Sequence, residues 1–494
     1  MTAANRNEET RLPNRLIERR RFLRGAMAAA GTAAALPALQ SLGLVALNGR
    51  VHAAPGDGGY GPLVPTPDMR DGALRLALPE GFRYRSFSLS GELMSDGHIV
   101  PIAQDGMGVF NTSDGKFRLV RNHEDRNAPG AGTTSVDGNA YDMKGGGGTT
   151  TLVVNPFTRE LERHFISVNG TIVNCAGGIT PWHSWITCEE TNAGLPSGWL
   201  KQHGYCFDVP AAANGSVPAI PIPDMGRFSH EALAVDPDTW IVYETEDNGS
   251  NSGFYRFLAN TPGVLVDGGA LQMLAVDGAW QYDTRTGQTL GVALPVTWVP
   301  ITDPDPAGTS STAVFNQGRM LGGARFARLE GCWWGNGAVY FAATSGGNAG
   351  VGQVWEFRPD GDGGTLTLIY ESPSAAVLNF PDNLAVSPQG ALLLCEDAPG
   401  FNQFLRGVTL DGRIFDFAHN LETSREWAGA TFADADPSWN ARRIRGDNRP
   451  LGGRWDRITL FVNRQGPTSG PTPPAAGDEG MTFAIWGPWG QGAL

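Results

Sequence analysis

The feature that most constrains this chain is a two-strand unit that recurs with an acid at one or both of its edges. It runs from Glu231 through Ala-Leu-Ala-Val235 to Ile241-Val-Tyr-Glu244-Thr-Glu246-Asp247, and again from Asp382 through Asn-Leu-Ala-Val386 to Ala391-Leu-Leu-Leu-Cys-Glu396-Asp397. Shorter relatives start at Glu330, with a second strand at Ala338-Val-Tyr-Phe341, and at Glu426, with a second strand at Ile458-Thr-Leu-Phe-Val462. Each pairs two apolar runs across a turn or insertion, which is the pattern of a hairpin. Self-similar hairpins at irregular spacing predict the blades of a β-propeller. Composition agrees with an all-β fold: Gly 67 and Pro 34 supply many tight turns, and 14 Trp suit cores packed between strands.

In a propeller the first strand of every blade lines the axis, so acids at equivalent ends of several blades meet although they are far apart in sequence. Carboxylates that converge without cations raise one another's pKa and repel, so such a cluster predicts bound metal. One segment adds a softer donor. Asn174-Cys175-Ala-Gly-Gly178 is followed within a strand's length by Thr187-Cys188-Glu189-Glu190, and thiolate suits iron or zinc while carboxylate suits iron or calcium. A single Cys in a turn is ordinarily a buried apolar residue, and an acid at a strand end ordinarily caps an exposed edge. Recurrence of the unit is what favours a metal centre over those simpler readings.

A longer series of segments keeps a fixed order from about residue 70 to the C-terminus. It comprises Asn122-His-Glu124, Asn174-Cys-Ala-Gly-Gly178 with Thr180-Pro-Trp182 and Thr187-Cys-Glu-Glu190, and Gly226-Arg-Phe-Ser-His-Glu231. Further on come Tyr243-Glu-Thr-Glu-Asp247, Arg328-Leu-Glu330, Pro381-Asp-Asn383, Glu426-Trp-Ala-Gly429 and the ending Thr482-Phe-Ala-Ile-Trp-Gly-Pro-Trp489. In these segments the chain resembles the PhoX-type alkaline phosphatases, a group of bacterial β-propeller phosphatases. The resemblance implies a six-bladed propeller whose axial site holds a mixed iron (Fe3+) and calcium cluster with an oxide bridge, hydrolysing phosphate monoesters at alkaline pH and releasing inorganic phosphate. Carried over by motif, Cys175 is an iron ligand, Glu190, Glu231 and Glu330 are cluster ligands, and Arg328 binds the substrate phosphate. Glu124, Asp382 and Glu426 are calcium-ligand candidates. The chain departs from the expected pattern at His183 and Asp125, where a small and an aromatic residue are expected; both are expected to alter the rim of the site.

The chemistry can be argued without the resemblance. A phosphoryl group in transit carries charge on its equatorial oxygens, so cations and a guanidinium aimed at it lower the barrier. Arg328 suits this role because its planar fork binds phosphate oxygens in pairs and keeps its charge at high pH. An isolated Arg beside a Glu would be read as a salt bridge.

The N-terminus carries an address. Arg19-Arg20-Arg21-Phe22-Leu23-Arg24 precedes an Ala-rich apolar run from Gly25 to Leu47, and Val51-His52-Ala53 offers a small-residue cleavage site before Ala54. This pattern predicts a twin-arginine signal over residues 1–53, recognised by the twin-arginine export machinery, and a single propeller over residues 54–494, periplasmic or secreted. The alternative is a retained single membrane anchor. No internal stretch is apolar enough to cross a bilayer, so no stable span is expected after cleavage. The formal net charge is −13, and removing the Arg-rich leader makes the remainder more acidic. That excludes nucleic acid as a partner and requires bound cations before phosphorylated substrates can approach.

Of the five Cys, Cys188, Cys206, Cys332 and Cys395 remain beside Cys175; mostly buried free thiols are expected, with one disulfide left open. Two motifs resemble phosphate or calcium loops and are read as turns. Lys144-Gly-Gly-Gly-Gly-Thr149 has its Lys on the wrong side of the glycines, and Asp360-Gly-Asp362-Gly-Gly364 lacks a downstream Glu. Gly466–Pro474 reads as an exposed loop, and Asp303–Gly308 and Gly446–Gly453 as insertions. Three functions stay open: a monomeric metal-dependent phosphomonoesterase acting on small phosphorylated substrates, a phosphodiesterase or other esterase with the same cluster, and a non-catalytic calcium-stabilised propeller that binds a partner or glycan.

Overall fold

The computed structural model describes residues 55–398, 400, 402–439, 442 and 449–494. The arginine-rich signal, its cleavage site and the start of the Gly446–Gly453 insertion lie outside these residues. The described chain is dominated by antiparallel strands arranged in five sheets. One is a meander of Gln104–Asn111, Phe117–His123, Gly147–Val154 and Leu161–Thr171; a second contains Asn174–Ile179, Ser184–Glu189 and Cys206–Pro210. A third runs Pro381–Val386, Leu392–Glu396, Phe404–Val408 and Ile414–Asn420, extended by Leu76–Pro79 and Leu63–Thr66. In the fourth, Trp427–Asp434, Ile458–Arg464 and Met481–Trp486 are completed by Arg83–Phe87 from the other end of the chain.

The all-β, propeller-like expectation holds, but the fifth sheet is not divided into two blades. It has nine strands, because Ala293–Pro300 pairs on one edge with Gly269–Val276 and on the other with Gly363–Glu371. This strand thereby fuses two meanders, one beginning at His230–Val235 and the other at Leu329–Gly335. The arrangement is all-β and propeller-like, with four sheets standing alone and the fifth continuous.

Six strands line the centre: Gln104–Asn111, Asn174–Ile179, His230–Val235, Leu329–Gly335, Pro381–Val386 and Trp427–Asp434. Each packs against the next, and the last against the first. They are buried along almost their whole length, which explains sequences without the apolar–polar alternation of a one-sided sheet. Aromatic residues fill the core between the two fused meanders and where the first and last strands of the fourth sheet meet. Phe254 stacks on Phe341 at 4.4 Å between ring centres, and Phe82 meets Trp489 edge-on at 4.8 Å. Burying each such ring contributes roughly 1.5–3 kcal/mol.

All five Cys are free and buried, so the disulfide left open is not formed. The Lys144 and Asp360 glycine motifs are turns entering or joining strands, and Gly466–Pro474 is a largely exposed loop. The helix Ala313–Met320, in the insertion after Ala293–Pro300, buries Val314, Phe315 and Gly318 and is too short to leave a helical period in the sequence. Among the described residues, no helix is long and apolar enough to cross a membrane.

Candidate active site

The same backbone irregularity occurs near the start of all six central strands. Pairing with the second strand skips two residues, leaving a β-bulge at Asp105-Gly106, Cys175-Ala176, Glu231-Ala232, Glu330-Gly331, Asp382-Asn383 and Gly429-Ala430. A bulge re-aims the side chain of its first residue. Five of these six residues are metal-donor types. The second residue is Gly or Ala in five of the six, Asn383 being the exception, because neighbouring bulges nearly touch: a Cβ on Gly106 would stand 2.5 Å from Ala176 Cα, and one on Gly331 2.7 Å from the Asp382 carbonyl oxygen. A narrow cavity continues along the axis, lined by Met107, Ala176, Ala232, Gly331, Asn383 and Ala430.

A second set of positions repeats equally. The residue after each second strand gives its N–H to the carbonyl of the residue two to three before the bulge: Glu124 to Ala103, Glu190 to Val173, Asp247 to Ser229, Thr344 to Arg328, Asp397 to Phe380 and Gln465 to Glu426. Four of those second-strand residues are acids. Four of the lead-in residues, Ala103, Val173, Arg328 and Phe380, are left-handed with φ between 46° and 56°. Such strain costs about 1–3 kcal/mol per residue and gathers at functional sites.

Together the two sets form a continuous strip of donors. Ligand atoms lie within 4.8 Å of one another in the groups Asp105–Glu124–Cys175, Cys175–Glu190–Glu231, Glu231–Glu330–Asp382 and Asp382–Asp397–Glu426, and each group shares a member with the next. Cys175 Sγ is 3.4 Å from Glu231 Oε1 and 3.6 Å from Asp105 Oδ2. Gln465 Nε2 donates to Asp105 Oδ2 at 2.7 Å and to Glu124 Oε2 at 2.9 Å.

Two guanidiniums flank the strip. Arg328 places Nε 3.1 Å from Asp247 Oδ2 and Nη2 2.8 Å from Glu330 Oε1. Arg126 donates through Nε to Glu124 Oε1 at 2.6 Å and pairs with Glu190. Their side chains stay 36% and 45% exposed, enough to meet a solute.

Burial first, and then the charge of neighbouring acids, push three pKa values far up: Glu124 and Asp382 act on Asp105, Glu330 and Asp382 on Glu231, and Asp105 and Glu231 on Cys175. For Glu190 and Glu330, burial and neighbouring acids outweigh the nearby Arg and also push the pKa up. Asp382 is raised to about 7 by burial and Asp397. Asp105 Oδ1 and Glu231 Oε2 are buried and receive no hydrogen bond. Carboxylates and a thiol left in that condition fit cations, hard ones at the all-oxygen groups and softer ones where Cys175 takes part.

All the residues expected at the site, Cys175, Glu190, Glu231, Glu330, Arg328, Glu124, Asp382 and Glu426, are brought to this strip and its edge. The sequence reading missed Asp105, Asp397, Asp247, Gln465 and Arg126. For the first four the signal available was positional, since each follows from aligning the hairpins on their bulges; Arg126 lies outside both repeating positions. His183 is a correction: it lies in the exposed turn between Asn174–Ile179 and Ser184–Glu189, at the end of the hairpin away from Cys175, and does not border the site. Asp125 does lie beside it, buried, with Oδ1 accepting the Asn127 N–H at 2.7 Å.

Residues 58–163 and 155–439 match the family described as alkaline phosphatase PhoX. The chain belongs to the PhoX family. The enzyme is therefore a phosphoric monoester hydrolase of a metal-dependent family. Among solved structures, it is similar to Pseudomonas fluorescens PhoX in complex with vanadate, a transition state analogue, at 16% identity and a TM-score of 0.63, covering 89% of this chain and 99% of that one. A Dyadobacter fermentans protein of unknown function is less similar, at 7% identity and a TM-score of 0.41 over 82% of this chain and 99% of that one. No curated protein matches this PhoX-family sequence.

Proposed function

We propose that this enzyme hydrolyses small phosphate monoesters to inorganic phosphate at the axial donor strip, with the fused sheet counting as two of six blades. We further propose that it is a monomer working in the periplasm or outside the cell after twin-arginine export. The observation that carries the catalytic reading is Arg328, fixed at the lead-in position of a central strand beside a strip of donors that includes Cys175. The residues suit a mixed set of cations: Fe3+ at Cys175 with Glu190 and Glu231, and calcium among Glu124, Asp382, Asp397 and Glu426. Bound there, the cations would offset the acids, polarise a phosphoryl oxygen and activate an oxygen nucleophile.

The chain's own groups handle the anion. With Nε and Nη2 held by Asp247 and Glu330, the Arg328 guanidinium is fixed in orientation, and its remaining N–H groups can bind phosphate oxygens. Burial opposes its charge, but Glu330 and Asp247 outweigh burial and raise its pKa, so it stays cationic at alkaline pH. Arg126 offers a second positive group on the Glu124–Glu190 side. Burial, and then Asp105 and Glu231 beside it, push the Cys175 thiol pKa up, so it favours the thiol until positive charge is bound there.

Steady-state kinetics with a chromogenic phosphate monoester, combined with metal analysis, tests this. Arg328→Lys keeps the charge and loses the fork, so kcat should fall by about 10²-fold with metal content unchanged. Glu330→Gln should lower both. Near-normal turnover in Arg328→Lys would mean that this Arg only balances the acids.

A further inference from the structure

We propose that Cys206, His230 and Glu244 form a second, buried site for a divalent first-row transition cation of the zinc type, separate from the axial strip. The three donors come from three consecutive strands, Cys206–Pro210, His230–Val235 and Val242–Glu246, and their ligand atoms lie within 4.8 Å of one another. All three side chains are almost wholly buried, in surroundings built from Ile186, Phe228, Leu233, Val242 and Tyr255.

Glu244 makes the case. Both of its carboxylate oxygens are buried without a hydrogen-bonded donor. Tyr255, which could have supplied one, gives its hydroxyl to Glu246 Oε2 at 2.6 Å. His230 Nδ1 lies 3.3 Å from Glu244 Oε2. His230 is oriented as a metal ligand is: Nε2 donates to the Gly226 carbonyl at 2.9 Å, and Phe228 stacks on the ring at 3.7 Å between centres. Since a carbonyl can only accept, the Nε2 proton is fixed, and in the neutral ring the Nδ1 lone pair faces the carboxylate.

Cys206 adds a soft donor and brings Cys188, whose Sγ lies 3.6 Å away, within reach as a fourth. Around zinc, bonds of about 2.3 Å to sulfur and about 2.0–2.1 Å to nitrogen or oxygen give tetrahedral edges of roughly 3.3–3.8 Å. The His230–Glu244 and Cys188–Cys206 spacings fall in that interval. Binding would displace the Cys206 thiol proton, and the thiolate and carboxylate charges would be offset by the dication. The neighbouring Glu231 joins the Cys175 group instead, so the two sites share no ligand.

The test uses the full chain produced with zinc, and separately with cobalt, in the medium. Wild type and Cys175→Ser should each carry a metal equivalent that is lost in Cys206→Ser and in Glu244→Gln. In the cobalt-grown Cys175→Ser protein the thiolate-to-cobalt charge-transfer band should persist, and adding Cys206→Ser should abolish it. Glu244→Gln preserves size and shape, so it carries the test if Cys206→Ser does not fold. The proposal is overturned if Glu244→Gln keeps the full metal content, if the cobalt band in Cys175→Ser is absent, or if non-reducing peptide mapping shows Cys188 joined to Cys206. Turnover plays no part in this readout, so its outcome is independent of the phosphatase reading.

Discussion

Arg126 bridges Glu124 and Glu190 while nearly half of its side chain faces solvent. On the proposed function, a guanidinium so placed would attract a phosphate on approach from the Glu124–Glu190 side. Removing it as Arg126→Gln should raise KM for a phosphate monoester by about tenfold, roughly the 1.4 kcal/mol of one charge-assisted contact, with a smaller effect on kcat; steady-state kinetics at fixed metal content checks this. From sequence, an Arg two residues after a Glu reads as a surface ion pair, which is why this residue escaped notice. Cys175, Glu231, Glu330 and Asp382 were legible because each opens a recognisable hairpin. Asp105 opens one too, but its strand, Gln104–Asn111, has Gly106 and Gly108 where the hairpins opened by Glu231 and Asp382 show apolar runs, so the repeat does not stand out.

At the scale of the strand, the bulge is the device that builds the site, and its second residue sets how closely two strands can approach. Gly331→Ala would place a methyl 2.7 Å from the Asp382 carbonyl oxygen and the Leu384 nitrogen, both backbone atoms of the next central strand. The neighbouring bulge must shift, so we expect destabilisation of about 1–3 kcal/mol together with metal loss, read by thermal unfolding and metal analysis. Behind the strand that carries Cys175, His203 sits between Glu189 Oε1 at 2.6 Å and Asp142 Oδ2 at 3.4 Å, and Glu189 Oε1 also accepts the Ile172 N–H at 3.0 Å. Burial opposes charging of His203, but Glu189 and Asp142 prevail and raise its pKa above the ordinary 6.5. The stability this contributes is complete below the ordinary value and is lost as pH rises through the raised one. The melting-temperature advantage of wild type over His203→Gln should therefore shrink as pH rises, and an advantage constant across that range would contradict the charged state. The hairpins themselves were readable from the sequence. The fusion of two meanders by Ala293–Pro300 was not, because its pairing with Gly363–Glu371 is long-range and leaves no local pattern.

For the whole molecule, a strip assembled from donors on every central strand means that no single sheet can hold the cluster. It also suits export of a finished, loaded protein, the premise of the twin-arginine reading. Changing Arg19 and Arg20 together to Lys should leave precursor and phosphatase activity in the cytoplasm, as fractionation would measure; undiminished activity outside the inner membrane would contradict that route. The clasp between Arg83–Phe87 and Met481–Trp486 sets a further condition on timing. Among the described strands, one partner is the third to be made and the other the last, so the ring cannot close until both have been synthesised. Asp105 and Glu426 come to face the same axis only afterwards. Cation capture by the whole strip would then have to follow synthesis of Met481–Trp486, and a product cut short before that strand would lack the closed ring that the strip requires.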